Sequence, residues 1–218
     1  DIFSKLSGLG NGEIISPEAI ARVLTHLEGG LKNIPQKARR VVLLNQADTP
    51  ELQSSAQAMT APLLSIYQSV IIASLSNEII YAVHEPIAGI ILAAGESTRF
   101  GSPKQLLDWK GQPFVRVVAQ TAIRAGLSPV IVVTGANAEQ VEAAISDMDV
   151  TTVRNANWQS GQGGSIREGI KVLTRPYPSL PQRPEAVGGA IFLLTDQPQV
   201  NKAVINALTE KHAEGLFP

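Results

Sequence analysis

The sequence predicts an α/β protein built on a parallel sheet with helices packed against it, and three observations carry that expectation. After Pro86, apolar strand-like runs alternate with amphipathic helical stretches as far as Lys211, the rhythm of a layered sheet with right-handed crossovers. The run Ile87 to Ala93 is apolar on both of its faces, as a strand covered from two sides must be. Hydrophobic residues make up 44% of the chain and charged residues 17%, enough apolar material for a buried core and too little charge for wholesale disorder.

Taken in order, the first element is a helix started by Ser16-Pro17-Glu18, with Ser16 as cap and Pro17 in the first turn. It is expected to reach Leu27, ahead of Glu28-Gly29-Gly30. Arg40 to Asn45 reads as a buried strand, Ser54 to Ile66 as a helix interrupted near Pro62, and Val70 to Ala73 and Ile79 to Val83 as short strands. His84-Glu85-Pro86 breaks the composition and sets the expected boundary between a partial α/β segment, residues 1–86, and a domain over residues 87–218. In the domain, Ile87 to Ala93 is the first strand. Pro113 opens a helix to Ala125, with Phe114, Val117, Val118, Thr121 and Ala125 on one side. Val130 to Thr134 is a strand, Ala138 to Met148 a helix, Val150 to Arg154 a strand and Gly164 to Leu173 a helix. Pro176, Pro178, Pro181 and Pro184 forbid regular structure between Arg175 and Pro184, which reads as a surface loop. Ala190 to Thr195 is the last strand and Val200 to Lys211 the last helix. Ligands of such sheets sit outside the carboxyl ends of the strands.

The formal net charge is −1, which argues against a general nucleic-acid or anionic-membrane binder, since either would carry a basic excess. Any phosphate site must be local. The chain has no cysteine, so disulfides, thiolate zinc sites and cysteine nucleophiles are excluded together. No apolar run reaches the ~18 residues of a membrane span, and the reading is of a cytoplasmic protein with no nucleic-acid or membrane partner. The chain opens on Asp1 and ends on Gly215-Leu216-Phe217-Pro218, which reads as the approach to another strand. A fragment is therefore expected. His26, His84 and His212 lack ligand spacing and read as structural or solvated. Trp109 and Trp158 flank the two glycine-bearing loops, where packing is the preferred reading over base stacking.

The loop after the first strand of the domain carries the chemistry. Leu92 to Leu107 reads LAAGESTRFGSPKQLL. Ala93, Ala94 and Gly95 are small enough for backbone to approach a ligand closely. Ser97 and Thr98 add hydroxyls, Arg99 and Lys104 add positive charge, and Gly101 and Pro103 set the turns. Backbone amides in such a loop can cradle phosphate oxygens while the two cations offset a triphosphate's charge. Arg99 can hold two oxygens at once, whereas Lys104 acts as a compact point charge. Neither GxxxxGK[ST] nor GxGxxG occurs in the chain. An ordinary strand-to-helix loop with solvated charges is the competing reading of these residues alone.

This run resembles the signature LAAGxSxRxGxPKxLL of nucleotidyltransferases that attach a nucleotide to the molybdenum cofactor. The resemblance covers Ile87 to the end. It implies a Rossmann-like, three-layer α/β/α fold, magnesium as cofactor, and CTP and a molybdopterin-type cofactor as partners. Ala94 and Pro103 follow the cytidylyl-transferring branch; guanylyl-transferring relatives read LAGG, with Asp before the signature lysine. CTP is accordingly expected to bind more tightly than GTP. Two further stretches agree in order. Asn155 to Gly169 (NANWQSGQGGSIREG) resembles the second nucleotide loop: Gly161, Gly163 and Gly164 precede a helix whose first turn holds Ser165, so free amides face the ligand. Phe192 to Pro198 (FLLTDQP) resembles the metal-binding segment, with Asp196 delivered at a strand's carboxyl end.

The resemblance thus implies Leu92, Ala93, Ala94, Gly95, Ser97, Arg99, Lys104, Gly161, Gly163 and Ser165 as nucleotide-binding residues, Arg99 and Lys104 as catalytic, and Asp196 as the magnesium ligand. It also implies a second metal-binding acid, usually in a Gly-Asp pair, beyond the position where this chain stops, so weak turnover is expected. A molybdenum hydroxylase would be the further partner. Rival readings are another nucleotidyltransferase, using a sugar phosphate or GTP, and a non-catalytic nucleotide-binding module that delivers a cofactor.

The amino-terminal part, roughly Ile14 to Val83, is similar to the carboxyl part of a family accessory to selenium-dependent molybdenum hydroxylases, of P-loop-like character. Asn45-Gln46-Ala47-Asp48 stands where GTP-binding proteins carry Asn-Lys-x-Asp, with Gln46 in place of the lysine. A structural turn is the preferred reading.

Overall fold

The computed structural model describes residues 25, 29, 40–96, 102–174 and 187–215. The helix expected over 16–27 falls almost wholly outside them, as does the proline-rich loop over 175–184. The chain divides into two compact units, Asp1–Pro86 with Glu210–Pro218, and Ile87–Thr209.

In the first unit β1 (Val41–Leu44) pairs in parallel with β2 (Ser69–Ser74), which pairs antiparallel with β3 (Ile79–His84). Helix α1 spans Pro50–Leu63, starting four residues before the expected Ser54. Its start follows the same rule that Ser16-Pro17-Glu18 suggested: Thr49 caps the helix by accepting from the Leu52 amide at 3.4 Å, Pro50 fills the first turn and Glu51 faces the positive helix end. Pro62 lies inside the last turn, and the helix stops one residue later. Ala56, Met59 and Leu63 pack on Val42, Leu44, Val70 and Ile72, which form the core of this unit.

The turn Asn45–Asp48 spends its polar side chains on its own scaffold. Asn45 Oδ1 accepts from the Leu75 amide at 2.9 Å. The Asp48 carboxylate accepts from Ser74 Oγ, and from Asn77 Nδ2 at 3.3 Å. Gln46 has a positive φ of 67°, a left-handed conformation that the turn imposes on a non-glycine residue.

The second unit is a parallel sheet of four strands in the order β8-β7-β4-β9, where β4 is Ile87–Ala93, β7 Val130–Thr134, β8 Thr151–Arg154 and β9 Gly189–Leu194. Side chains alternate between its two faces. Ile91, Ala93, Val130, Val132 and Leu193 meet α2 (Phe114–Arg124), α3 (Ala138–Ala143) and Ile205 of α5 (Lys202–Gly215). On the opposite face, Ile90, Leu92, Ile131 and Val133 meet α4 (Gln162–Thr174) through Val172 and Ile166. The layering is α/β/α and the fold Rossmann-like, with the chain running β4, β7, β8 to one side and then crossing back to place β9 on the other. Gly169 lets α4 lie close to the sheet, since a Cβ there would stand 2.6 Å from Ile90 Cγ2.

Two further features differ from the sequence expectation. A hairpin of β5 (Asp108–Trp109) and β6 (Gln112–Pro113) precedes α2, turning through Lys110 and Gly111, both at positive φ, the conformation tight hairpin turns require. Helix α3 ends at Ala143 rather than Met148. Just beyond it Arg116 clamps the chain: its guanidinium donates to the Ala144 carbonyl at 3.1 Å and grips Asp147 through two bonds of 2.6 and 2.7 Å. The helix has already tightened before that point, with the Ile145 amide on Glu142 O and the Ser146 amide on Ala143 O, each three residues back. The Met148 amide likewise turns to Ile145 O at 3.1 Å, so the chain tightens while Ile145 stays buried.

Candidate functional site

The strand order reverses at β4 and β9, and their carboxyl ends open into a cavity of about 380 Å³ walled by Leu92, Ala94, Gly95, Lys104, Gln105, Trp158, Gly161, Gln162, Ser165, Leu194, Thr195 and Asp196. This is where a doubly wound sheet leaves its crevice, and the volume lies within the range of small-molecule sites.

The first wall is the end of β4. Leu92, Ala93 and Ala94 are buried, and the backbone that follows is braced at every carbonyl. Thr195 Oγ1 donates to Leu92 O at 3.2 Å, tying β9 to β4 at the reversal point. Gln105 Nε2 donates to Ala93 O at 3.1 Å and to Gly95 O at 2.6 Å. The Ala136 amide donates to Ala94 O at 3.1 Å. Gly135 makes that approach feasible: a Cβ on it would lie 2.5 Å from Ala94 O and 2.8 Å from Trp158 Cβ. Ser97, Arg99 and Gly101 lie outside the described residues. Lys104 opens a 3-10 turn, Lys104–Leu106, and its side chain borders the cavity.

The second wall is the loop after β8. Asn155 is buried at its start, with its amide on Thr134 O at 2.8 Å. Asn155 Oδ1 accepts from the Asn157 amide at 3.0 Å, and its Nδ2 donates to Ser165 Oγ at 3.1 Å. Ser165 is itself buried and borders the cavity. Because its oxygen accepts from Asn155, its hydroxyl hydrogen remains available to a ligand. Gly161 turns the chain at φ 99°. Helix α4 then begins at Gln162, two residues before the expected Gly164. Gly163 and Gly164 therefore lie within its first turn, not ahead of it. Gly163 is exposed and is not among the cavity-lining residues.

The third wall is Leu194-Thr195-Asp196, with Asp196 exposed just past β9. Among the described residues no group of three or more histidine, cysteine, aspartate or glutamate side chains could hold a metal by itself. Outside the cavity, Arg154 and Glu142 form a bidentate pair of 2.9 and 2.6 Å, and Thr134 Oγ1 donates to the same carboxylate at 2.9 Å. The Arg154 bond, aided by Thr134, holds the Glu142 carboxyl below its usual range.

The cavity thus unites Leu92, Ala94, Gly95, Lys104, Gly161, Ser165 and Asp196 from segments far apart in sequence, while Ala93 lies behind them in the sheet. Sequence reasoning passed over Gln105, Asn155, Gln162 and Thr195, polar residues that lie inside the three quoted stretches but were not singled out there. It placed Trp158 beside the loop as packing, and the structure puts it on the cavity wall. Among the described residues no helix is long and apolar enough to cross a membrane.

The chain is 30% identical over 130 residues to nicotine blue oxidoreductase of Paenarthrobacter nicotinovorans, covering 59% of this chain and 58% of that protein. It is 32% identical over 130 residues to the bifunctional protein GlmU of Burkholderia lata, covering 59% of this chain and 26% of that one. The chain therefore spans only part of the length of the curated relatives it matches. Among solved structures, Rv0371c from Mycobacterium tuberculosis H37Rv is 29% identical with a TM-score of 0.45, covering 58% of this chain and 60% of the other. The family model for the MobA-like NTP transferase domain matches residues 89–216, from inside β4 to beyond α5. With more than half of its length inside that match, this chain belongs to the MobA-like NTP transferase family.

Proposed function

We propose that this chain transfers CMP from CTP to a molybdopterin-type molybdenum cofactor, in the cytoplasm, for onward delivery to a molybdenum hydroxylase. The observation that carries the reading is the convergence of Lys104, Ser165 and Asp196 on one cavity at the reversal point of an NTP transferase sheet. Ala94 and Pro103 support cytidylyl over guanylyl transfer. In the reaction a terminal phosphate oxygen of the cofactor bonds to the α-phosphorus of CTP, the bond from that phosphorus to the bridging β-oxygen breaks, and pyrophosphate leaves.

Catalysis of this kind is positioning plus charge neutralisation. Lys104, with Arg99, holds the triphosphate, and the Ser165 hydroxyl donates to a ligand oxygen. Small residues at 93–95 allow close approach. Asp196 fits magnesium, which takes one or two carboxylates and completes its shell with phosphate oxygens and water. A bound ion there would neutralise phosphate charge.

The test is pyrophosphate release with magnesium, molybdopterin and each of CTP, GTP, UTP and ATP. Release fastest with CTP is expected. Release with a sugar phosphate in place of molybdopterin would reassign the acceptor, and nucleotide binding without release under any pairing would make the chain a binding module.

A further inference from the structure

Gln105 is 3% exposed, is among the residues that line the cavity, and uses only half of its side-chain amide. Its Nε2 donates twice, to Ala93 O and Gly95 O. Its Oε1 is buried with no hydrogen-bond partner. The orientation is not free to reverse. A flipped amide would set Oε1 against two carbonyl oxygens and leave three acceptors facing one another without a proton. A fixed, buried acceptor without a donor is the kind of group a ligand satisfies.

The chemistry of that ligand follows from what can donate. Phosphate oxygens accept and do not donate when ionised, so the triphosphate belongs at Lys104 and not at Oε1. The carbonyls of Leu92, Ala93, Ala94 and Gly95 each already receive a hydrogen bond. Among the described residues of this wall, Gln105 Oε1 is the buried side-chain acceptor that receives no hydrogen bond at all. The same cavity is lined by Leu92, Ala94 and Leu194, apolar side chains suited to the face or edge of a planar ring.

We propose that Gln105 is a specificity-determining residue whose Oε1 accepts a hydrogen bond from the exocyclic amino group of the nucleobase. The proposal rests on reading this cavity as the nucleotide site. Cytosine presents the amino group at the ring position where uracil presents a carbonyl oxygen. Because the amide cannot flip, uracil would bring oxygen against oxygen. Gln105 thereby supplies a physical basis for selecting CTP over its near-isosteric competitor UTP, which neither Ala94 nor Pro103 provides.

Binding of CTP, UTP and N4,N4-dimethyl-CTP to the full chain, followed by titration calorimetry, tests this. The expected result is CTP tighter than UTP by about tenfold or more, the scale of one good hydrogen bond against an unpaired group. The dimethylated analogue, which has lost both amino hydrogens, should fall to the UTP level without any change to the protein. In Gln105→Met, which keeps the side-chain length but removes both donor and acceptor, the CTP-to-UTP ratio should collapse to about one. Equal binding of CTP and UTP to the unaltered chain would overturn the proposal. So would a Met variant that weakens both nucleotides equally, since that would leave Gln105 only its role in bracing the β4 loop. Failure of all three nucleotides to bind would remove the nucleotide reading itself, and this proposal with it.

Discussion

Lys104 and Asp196 reach one cavity from elements more than ninety residues apart in sequence, and each tests a different share of ligand binding. Lys104→Ala should weaken triphosphate binding by ~1.5–3 kcal/mol, the scale of a charge-assisted contact. The melting temperature without ligand should barely move, because a partly exposed loop lysine adds little packing. A large loss of unliganded stability would point to an ordinary structural loop. Asp196→Asn should weaken only the magnesium-dependent part of binding, seen as a narrowing gap between titrations with and without the metal. Glycines separate by the same logic. In Gly135→Ala the new Cβ has Ala94 O and Trp158 Cβ closer than any real contact, so stability should fall by ~1–3 kcal/mol as the wall is forced apart. Gly163→Ala adds a Cβ into open space in the first turn of α4. It should leave nucleotide affinity unchanged in a calorimetric titration and raise stability by up to ~1 kcal/mol in a urea titration.

At the scale of the element, strands were the most legible features because burial on both faces leaves an uninterrupted apolar run. Ile87–Ala93 and Val130–Thr134 have the bounds their sequences indicate. Helix ends were less legible because they depend on partners distant in sequence. The turn after α3 is clamped by Arg116 on α2, and no local signal at Ala143 announces the helix end. The early start of α1 was readable in Thr49-Pro50-Glu51, a cap and first turn written in plain local chemistry. The Arg116 clamp also predicts a pH response. Its hydrogen bonds to Asp147 lower that carboxyl from 3.8 to about 2. A folded-state value below the unfolded one means stability that is complete above the unfolded value and lost as pH falls through the folded one. Unfolding titrations of the unaltered chain and Asp147→Asn should therefore differ at pH 5 and converge near pH 2. A constant difference over that range would show that the pair contributes nothing pH-dependent.

For the molecule as a whole, strand–helix alternation announced the layers, but the polar scaffold of the site stayed hidden. Gln105, Asn155 and Thr195 act through bonds to backbone or side chains on other segments, and only the folded sheet brings those partners together. The two units each carry a core of their own, one around Met59 and Val70 and the other around Ile91 and Val132. A ligand that binds only the folded state stabilises it by mass action, ~2.7 kcal/mol at a hundred times its dissociation constant. Since the cavity is built wholly from the Ile87–Thr209 unit, that gain belongs first to its strands. In amide hydrogen exchange with saturating CTP and magnesium, the slowest amides of β4, β7 and β9 should slow by about a hundredfold, the same free energy expressed as a rate ratio. Those of β1 and β2 should exchange as before, because their opening exposes no part of the nucleotide site. Equal slowing in both sets would mean that the chain opens as one cooperative body. Slowing confined to β1 and β2 would place the nucleotide outside the cavity at β4 and β9.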